Sequence, residues 1–166
     1  QADGYDEVGI EMYGDKGLAG GMSWYKSADH KPSVVFRPYE PPAQEPSAEF
    51  PFWFCTGRLL EHWHTGTMTR RVEELDRALP EALLSMNAED AAALGVNDGD
   101  MVQLTSPHGT MQIKASLAGR VEPPSGMVFA PFFAAETLIN RVVQDYYCPL
   151  SKETDYKKTC VSIKKA

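Results

Sequence analysis

The sequence predicts a mainly β fold with short helices, its strands closing into a barrel. Three observations carry this expectation. A chain of 166 residues that is 43% hydrophobic has the size and composition of one globular domain with one packed core. Its 13 glycines and 12 prolines favour many turns and short strands over a helical bundle. Its apolar segments are short and mostly strand-like, with few helical patterns between them.

Residues 1–33 are rich in Gly, Asp and Lys, and "GDKGLAGGMSWYKSADHKPS" holds neither a helical nor an alternating pattern, so an irregular arm is expected there. In "VVFRPYEPPAQEPSAEF" a short β-prone run meets Pro38, Pro41, Pro42 and Pro46, which prevent helix and favour an extended, polyproline-like strap. The organisation read here is an arm and strap over 1–49 and a folded domain over 50–166. "FPFWFCTGR" opens that domain as a buried aromatic strand turning at Gly57, so the run "CTGRLLEHWHTGTMTRR" occupies the loop leaving a strand.

"LLSMN" reads as a short strand, and "NAEDAAALG" as a helix with Asn87 at its N-cap, acids in its first turn and Gly95 as its stop. "NDGDMVQLTSPHGTMQIKASLAG" reads as a β-hairpin around "SPHG", entered by a turn at Asn97, Asp98 and Gly99. "GMVFAPFF" supplies another strand. "AETLINRVV" suggests a helix with Leu138, Ile139 and Val142 on one face, and "KTCVSIKK" a closing strand.

The formal charge of -7 argues against a surface built for nucleic acid or anionic membrane, so local basic clusters must carry any anion binding. No apolar run approaches the roughly 20 residues that span a bilayer, and "QADGYDEVGI" has neither a basic nor an apolar leader region. A soluble chain without membrane insertion or a targeting signal of its own is expected. Cys55, Cys148 and Cys160 are distant and form no CxxC pair, which indicates neither a disulfide framework nor a structural zinc site.

Chemistry concentrates in the loop after the first strand. Thr56, Thr65, Thr67 and Thr69 offer hydroxyls, and Gly57 and Gly66 let backbone amides approach a ligand. Arg58, Arg70 and Arg71 can grip phosphate bidentately, while His62, Trp63 and His64 can bond or lie against a heterocycle. A large polar ligand with phosphates and rings fits this set. Two other readings stay open: His-x-His as half of a zinc site lacking an obvious third ligand, and Trp63 as core with both histidines satisfied by backbone. No GxSxG elbow, Walker loop or GxGxxG is present, and Glu73-Glu74 and Glu89-Asp90 read as solvated faces or helix starts.

From about Pro38 to Lys158 the motifs "RPYEPPAQEPSAEFPFW", "TGRLLEHWHTGTMTRRVEELDRALPEA", "NAEDAAALGVNDGDMVQLTSPHGTMQIKASLAGRVEPPSGMVFAPFF", "LIN" and "PLSKETDYKK" follow one another in order. In this series the chain resembles the C-terminal molybdopterin-dinucleotide-binding domain of molybdenum oxidoreductases related to periplasmic nitrate reductase. "EHWHTGTMTRRV" with "APFF" and "SKETDYKK" resembles the nitrate reductase branch best, and Trp63, where formate dehydrogenases tend to carry tyrosine, points the same way. "QDYYCP" departs from the family's usual "DATDP"-like run.

The resemblance implies a double-psi β-barrel and a bis-molybdopterin guanine dinucleotide ligand carrying molybdenum. It places Thr56, Gly57, Arg58, Leu59, Leu60, Glu61, His62, Trp63, His64 and Thr65 along that cofactor, adds Asn140 and Lys157 as further contacts, and puts Phe132 on the substrate approach. The iron–sulfur cluster (4Fe-4S) and the molybdenum-ligating cysteine of such enzymes lie in other domains, so this chain is expected to supply neither a catalytic residue nor a metal ligand. Also implied are a periplasmic parent enzyme, nitrate as its substrate, its remaining domains as partners and a c-type cytochrome as electron donor. The alternatives are the same domain of a formate dehydrogenase or other molybdenum oxidoreductase, and a stand-alone nucleotide- or protein-binding module.

Overall fold

The structure, a computed structural model, describes residue 36, residues 38–148 and residues 152–166. The chain divides into two units, Gln1–Glu40 and Pro41–Ala166, and the barrel lies in the second. The expected arm over residues 1–33, with His30 in it, lies outside the described residues. From Pro41 to Pro51 the chain forms neither helix nor strand, as its prolines dictate. Gln44 fastens this stretch to the domain: its Oε1 accepts the Cys160 N–H at 3.1 Å, and its Nε2 meets His108 Nε2 at 3.1 Å.

Six strands close into a barrel: β1 (Phe52–Gly57), β2 (Leu84–Met86), β3 (Met101–Ser106), β4 (Gly109–Ser116), β5 (Met127–Pro131) and β6 (Thr159–Lys165). Around the barrel the order is β1-β5-β2-β4-β3-β6, returning to β1. The β1–β5 and β2–β4 pairs are parallel and the other four antiparallel. The expected fold class is therefore the one found, and each expected strand falls on an observed one. Alternate residues of β1 and β3 turn inward, so Phe52, Phe54, Val102 and Leu104 meet Leu84, Ile113, Val128 and Val161 in one interior core.

Among the described residues two short helices decorate the barrel, α1 (Glu73–Ala78) and α2 (Ala88–Leu94). The second forms as its residues dictate: the Asn87 side chain accepts the Glu89 N–H at 2.9 Å, and Gly95 stops the helix at φ 67°. The first begins at Glu73-Glu74, a pair expected to be a solvated face or a helix start, and an i,i+4 ion pair joins Arg77 to Glu73.

The expected helix in "AETLINRVV" does not form. Only a 3-10 turn at Ile139–Arg141 appears, because Leu138 takes a left-handed conformation at φ 40° that an α-helix cannot contain. Ile139 and Val142 are buried while Leu138 is 46% exposed, so the three share no face. No disulfide joins Cys55, Cys148 and Cys160, and burial pushes the Cys160 thiol pKa up, with the Glu45 carboxylate adding to the shift. Among the described residues no helix is long and apolar enough to cross a membrane.

Candidate functional site

Parallel pairing of β1 with β5 brings the C-terminal ends of both strands to one end of the barrel. The antiparallel β6 begins at that same end. The loop leaving β1, the chain leaving β5 and the chain entering β6 therefore converge there. Gly57, at the rim, faces the Phe129 ring so closely that a Cβ would come within 2.5 Å of it. The Phe132 N–H carries the β1–β5 ladder one step further by donating to the Gly57 carbonyl at 3.3 Å.

Thr56 is 3% exposed, and its hydroxyl donates to the Tyr156 carbonyl at 3.1 Å instead of facing outward. Its own carbonyl accepts from Lys157 Nζ. The Lys157 ammonium lies 5.6 Å from the Phe132 ring centre and the Arg58 guanidinium 6.0 Å from it, so two cations far apart in the sequence share one ring. Arg58 also lies 5.4 Å from the centre of the Trp63 ring and bonds His64 Nε2 at 3.0 Å.

Beyond Arg58 the loop sorts its side chains by direction. A bridge between Leu59 and His62 makes a tight turn with Leu60 at its tip, 93% exposed. His62 turns inward to 2% exposure. Its Nε2 donates to the Leu79 carbonyl at 2.8 Å, its Nδ1 accepts from the Thr69 hydroxyl at 3.1 Å, and its ring lies 4.1 Å from that of Phe133. The Thr69 oxygen in turn accepts the Trp63 N–H at 3.1 Å. Both nitrogens of His62 are thus used inside the protein, so neither ligand chemistry nor zinc has its ring atoms at hand.

Glu61 is likewise buried, its carboxylate paired with Arg120 from the loop between β4 and β5. Trp63 and His64 face outward, Trp63 58% exposed, which removes the reading of Trp63 as core. Of the arginines expected to grip phosphate, Arg70 is committed to the protein: it bonds Asp76 at 3.0 Å, Glu136 at 3.1 Å and the Pro80 carbonyl at 3.4 Å. The bonds to Asp76 and then Glu136 raise its pKa. The Glu136 carboxyl is held below its usual range by its own backbone N–H and then by Arg70. Arg71 is exposed.

Thr65, Thr67, Phe132, Ala135, Leu138 and Asn140 line a cavity of about 280 Å³ beside this cluster. Asn140 reaches it from the 3-10 turn and is exposed. Of the residues singled out in the sequence, Arg58, Trp63, His64, Thr65, Phe132, Asn140 and Lys157 present themselves at this end. The side chains of Thr56, Glu61 and His62 point into the protein, and Leu59 lines a separate cavity of about 210 Å³ with Glu61 and Arg120. Sequence reasoning missed Leu138 and Ala135 as cavity walls and Arg120 as the partner of Glu61. No local signal marks such pairings across the fold. Among the described residues no three His, Cys, Asp or Glu side chains gather to hold a metal ion.

A closed barrel with cations, hydroxyls, an amide and aromatic rings gathered at one rim defines a binding domain for a large, polar, ring-bearing anion. The chain belongs to the family of the Molydopterin dinucleotide binding domain, whose model matches residues 52–161. Among solved structures it is similar in fold to acetylene hydratase from Pelobacter acetylenicus, at a TM-score of 0.61 and 15% identity. That likeness covers 70% of this chain and 18% of the other, so this chain spans only a small part of that protein's length.

The rim suits such a ligand on its own chemistry. Arg58 and Lys157 match phosphate oxygens, Thr65 and Thr67 can donate to them, and Asn140 can both donate and accept at a pterin edge. Phe132 and Trp63 offer flat apolar surface for a ring system.

Proposed function

We propose that the chain is the cofactor-binding C-terminal domain of a molybdenum-dependent nitrate reductase and holds bis-molybdopterin guanine dinucleotide at the barrel rim. The observation that carries the reading is the meeting of Arg58, Phe132, Asn140 and Lys157, drawn from three separate segments, at one end of the barrel. When bound, the cofactor supplies the two-electron chemistry that removes an oxygen atom from nitrate and leaves nitrite. The residues of this chain bind and orient. Arg58 and Lys157 attract and hold the anionic tail, Thr65 and Asn140 fix its edge, and Phe132 walls the substrate approach with apolar surface that limits water.

In this reading the iron–sulfur cluster and the molybdenum-ligating cysteine come from the remaining domains of a periplasmic parent enzyme, and electrons come from a c-type cytochrome. Trp63 in "EHWHTG" favours nitrate over formate. The test is nitrate-dependent oxidation of a reduced dye by the full-length, cofactor-loaded parent. Formate oxidation without nitrate reduction would overturn the substrate and leave the cofactor standing.

A further inference from the structure

We propose that Gln144 is a positioning residue that sets Lys157 in the ligand site. It lies in "QDYYCP", a segment that departs from the resembled family. After the Asn140 turn the chain buries Val142 and Val143 and then Gln144, which is 2% exposed. The Gln144 backbone N–H donates to the hydroxyl of the fully buried Thr159 at 2.9 Å, and its side-chain Nε2 donates to the Asp155 carbonyl at 2.7 Å. Lys157 follows two residues later.

The turn that carries Lys157 is held at three backbone points. Gln144 holds the Asp155 carbonyl, the Tyr146 carbonyl accepts the Asp155 N–H at 2.9 Å, and Thr56 holds the Tyr156 carbonyl. An isolated antiparallel bridge also pairs Tyr147 with Thr154. Two of the three fastenings join this turn to the segment bearing Asn140, and the Gln144 amide is the one of them made by a side chain. That side chain therefore helps to fix the spacing between two ligand-site groups that lie on different stretches of chain.

The amide is retained at a cost. Among the described residues its buried Oε1 has no hydrogen-bond partner, so a methionine of similar volume would satisfy the interior better. What methionine lacks is the donor to Asp155. A residue that breaks the rule of satisfied interior polar groups while making one well-placed bond to a functional turn is acting on geometry more than on stability.

The test compares Gln144→Met and Gln144→Glu in the full chain by NMR of the lysine ammonium groups. The Lys157 signal is assigned by its loss in Lys157→Arg. In the wild type the ammonium bonded to the Thr56 carbonyl should give a slowly exchanging N–H resonance. In both variants that resonance should vanish into solvent exchange while the rest of the spectrum and the melting temperature of Gln144→Met stay in place. An unchanged Lys157 resonance in both variants overturns the proposal, and so does general unfolding in both, which would make Gln144 a mere stabiliser.

The functional consequence rests on the proposed cofactor reading and is measured separately. In the cofactor-loaded parent, molybdenum retention after dilution should fall about tenfold in Gln144→Met, the effect of one lost buried hydrogen bond passed on to one ligand contact. A lost Lys157 resonance with full molybdenum retention would support the positioning and overturn the role given to Lys157.

Discussion

At the residue scale, the loop after β1 separates what holds it in shape from what it offers. His62→Ala removes two hydrogen bonds and the Phe133 contact from a buried site, which should cost about 2–4 kcal/mol of folding stability. Arg58→Ala removes an exposed cation and should change stability by about 0.5 kcal/mol or less. In the parent both should lower molybdenum content, but only the first should shift the urea midpoint of the full chain. Equal midpoint shifts would sink the distinction. The sequence made the crowd of donors plain but not their directions. His62 and His64 are two residues apart and chemically alike, and what separates them is the Leu59–His62 bridge and a Phe133 that arrives much later in the chain.

At the element scale, the most legible parts are those with local chemistry. Asn87 and Gly95 bound α2 because a side-chain cap and a left-handed stop act within one turn. "AETLINRVV" misleads because its apolar residues dock one at a time, which periodicity cannot foresee. The 3-10 turn at Ile139–Arg141 is held instead by the hairpin between β3 and β4. A Cβ on Gly109 would run into the Arg141 carbonyl oxygen, which belongs to backbone and cannot swing aside. Gly109→Ala should therefore cost about 1–3 kcal/mol and move the amide resonances of Asn140, checked by denaturant titration and NMR.

The entry to β3 carries a pH dependence of known sign. Lys165, and after it the backbone N–H of Asn97, hold the Asp100 carboxyl below the usual carboxylate range. Its contribution is therefore present above the ordinary value of about 4 and is lost as pH falls through the lower folded value. Asp100→Asn should lower stability at neutral pH and flatten the acid limb of the stability profile below about pH 4. A limb of unchanged steepness would contradict this.

At the scale of the whole molecule, the barrel class was legible from strand number and length, but the strand order was not. Nothing local to "FWFCTG" says that its parallel neighbour is "MVFAP", far along the chain. The final strand completes the ring by pairing with both β1 and β3. Removing residues 159–166 should open it, and calorimetry should then show loss of the single cooperative transition. A retained sharp transition would mean that the core closes without β6.

The inward turn of His62, Thr69 and Arg70 bears on how tightly the rim can hold anything. A loop of this length that ordered itself only on meeting its ligand would lose much conformational entropy at that moment, and the affinity would fall accordingly. Here the bonds of His62, Thr69 and Arg70 hold the loop in shape from within the protein. On the proposed reading such a loop meets its ligand already shaped, so that the attraction of Arg58, Thr65 and their neighbours goes mainly into holding the ligand.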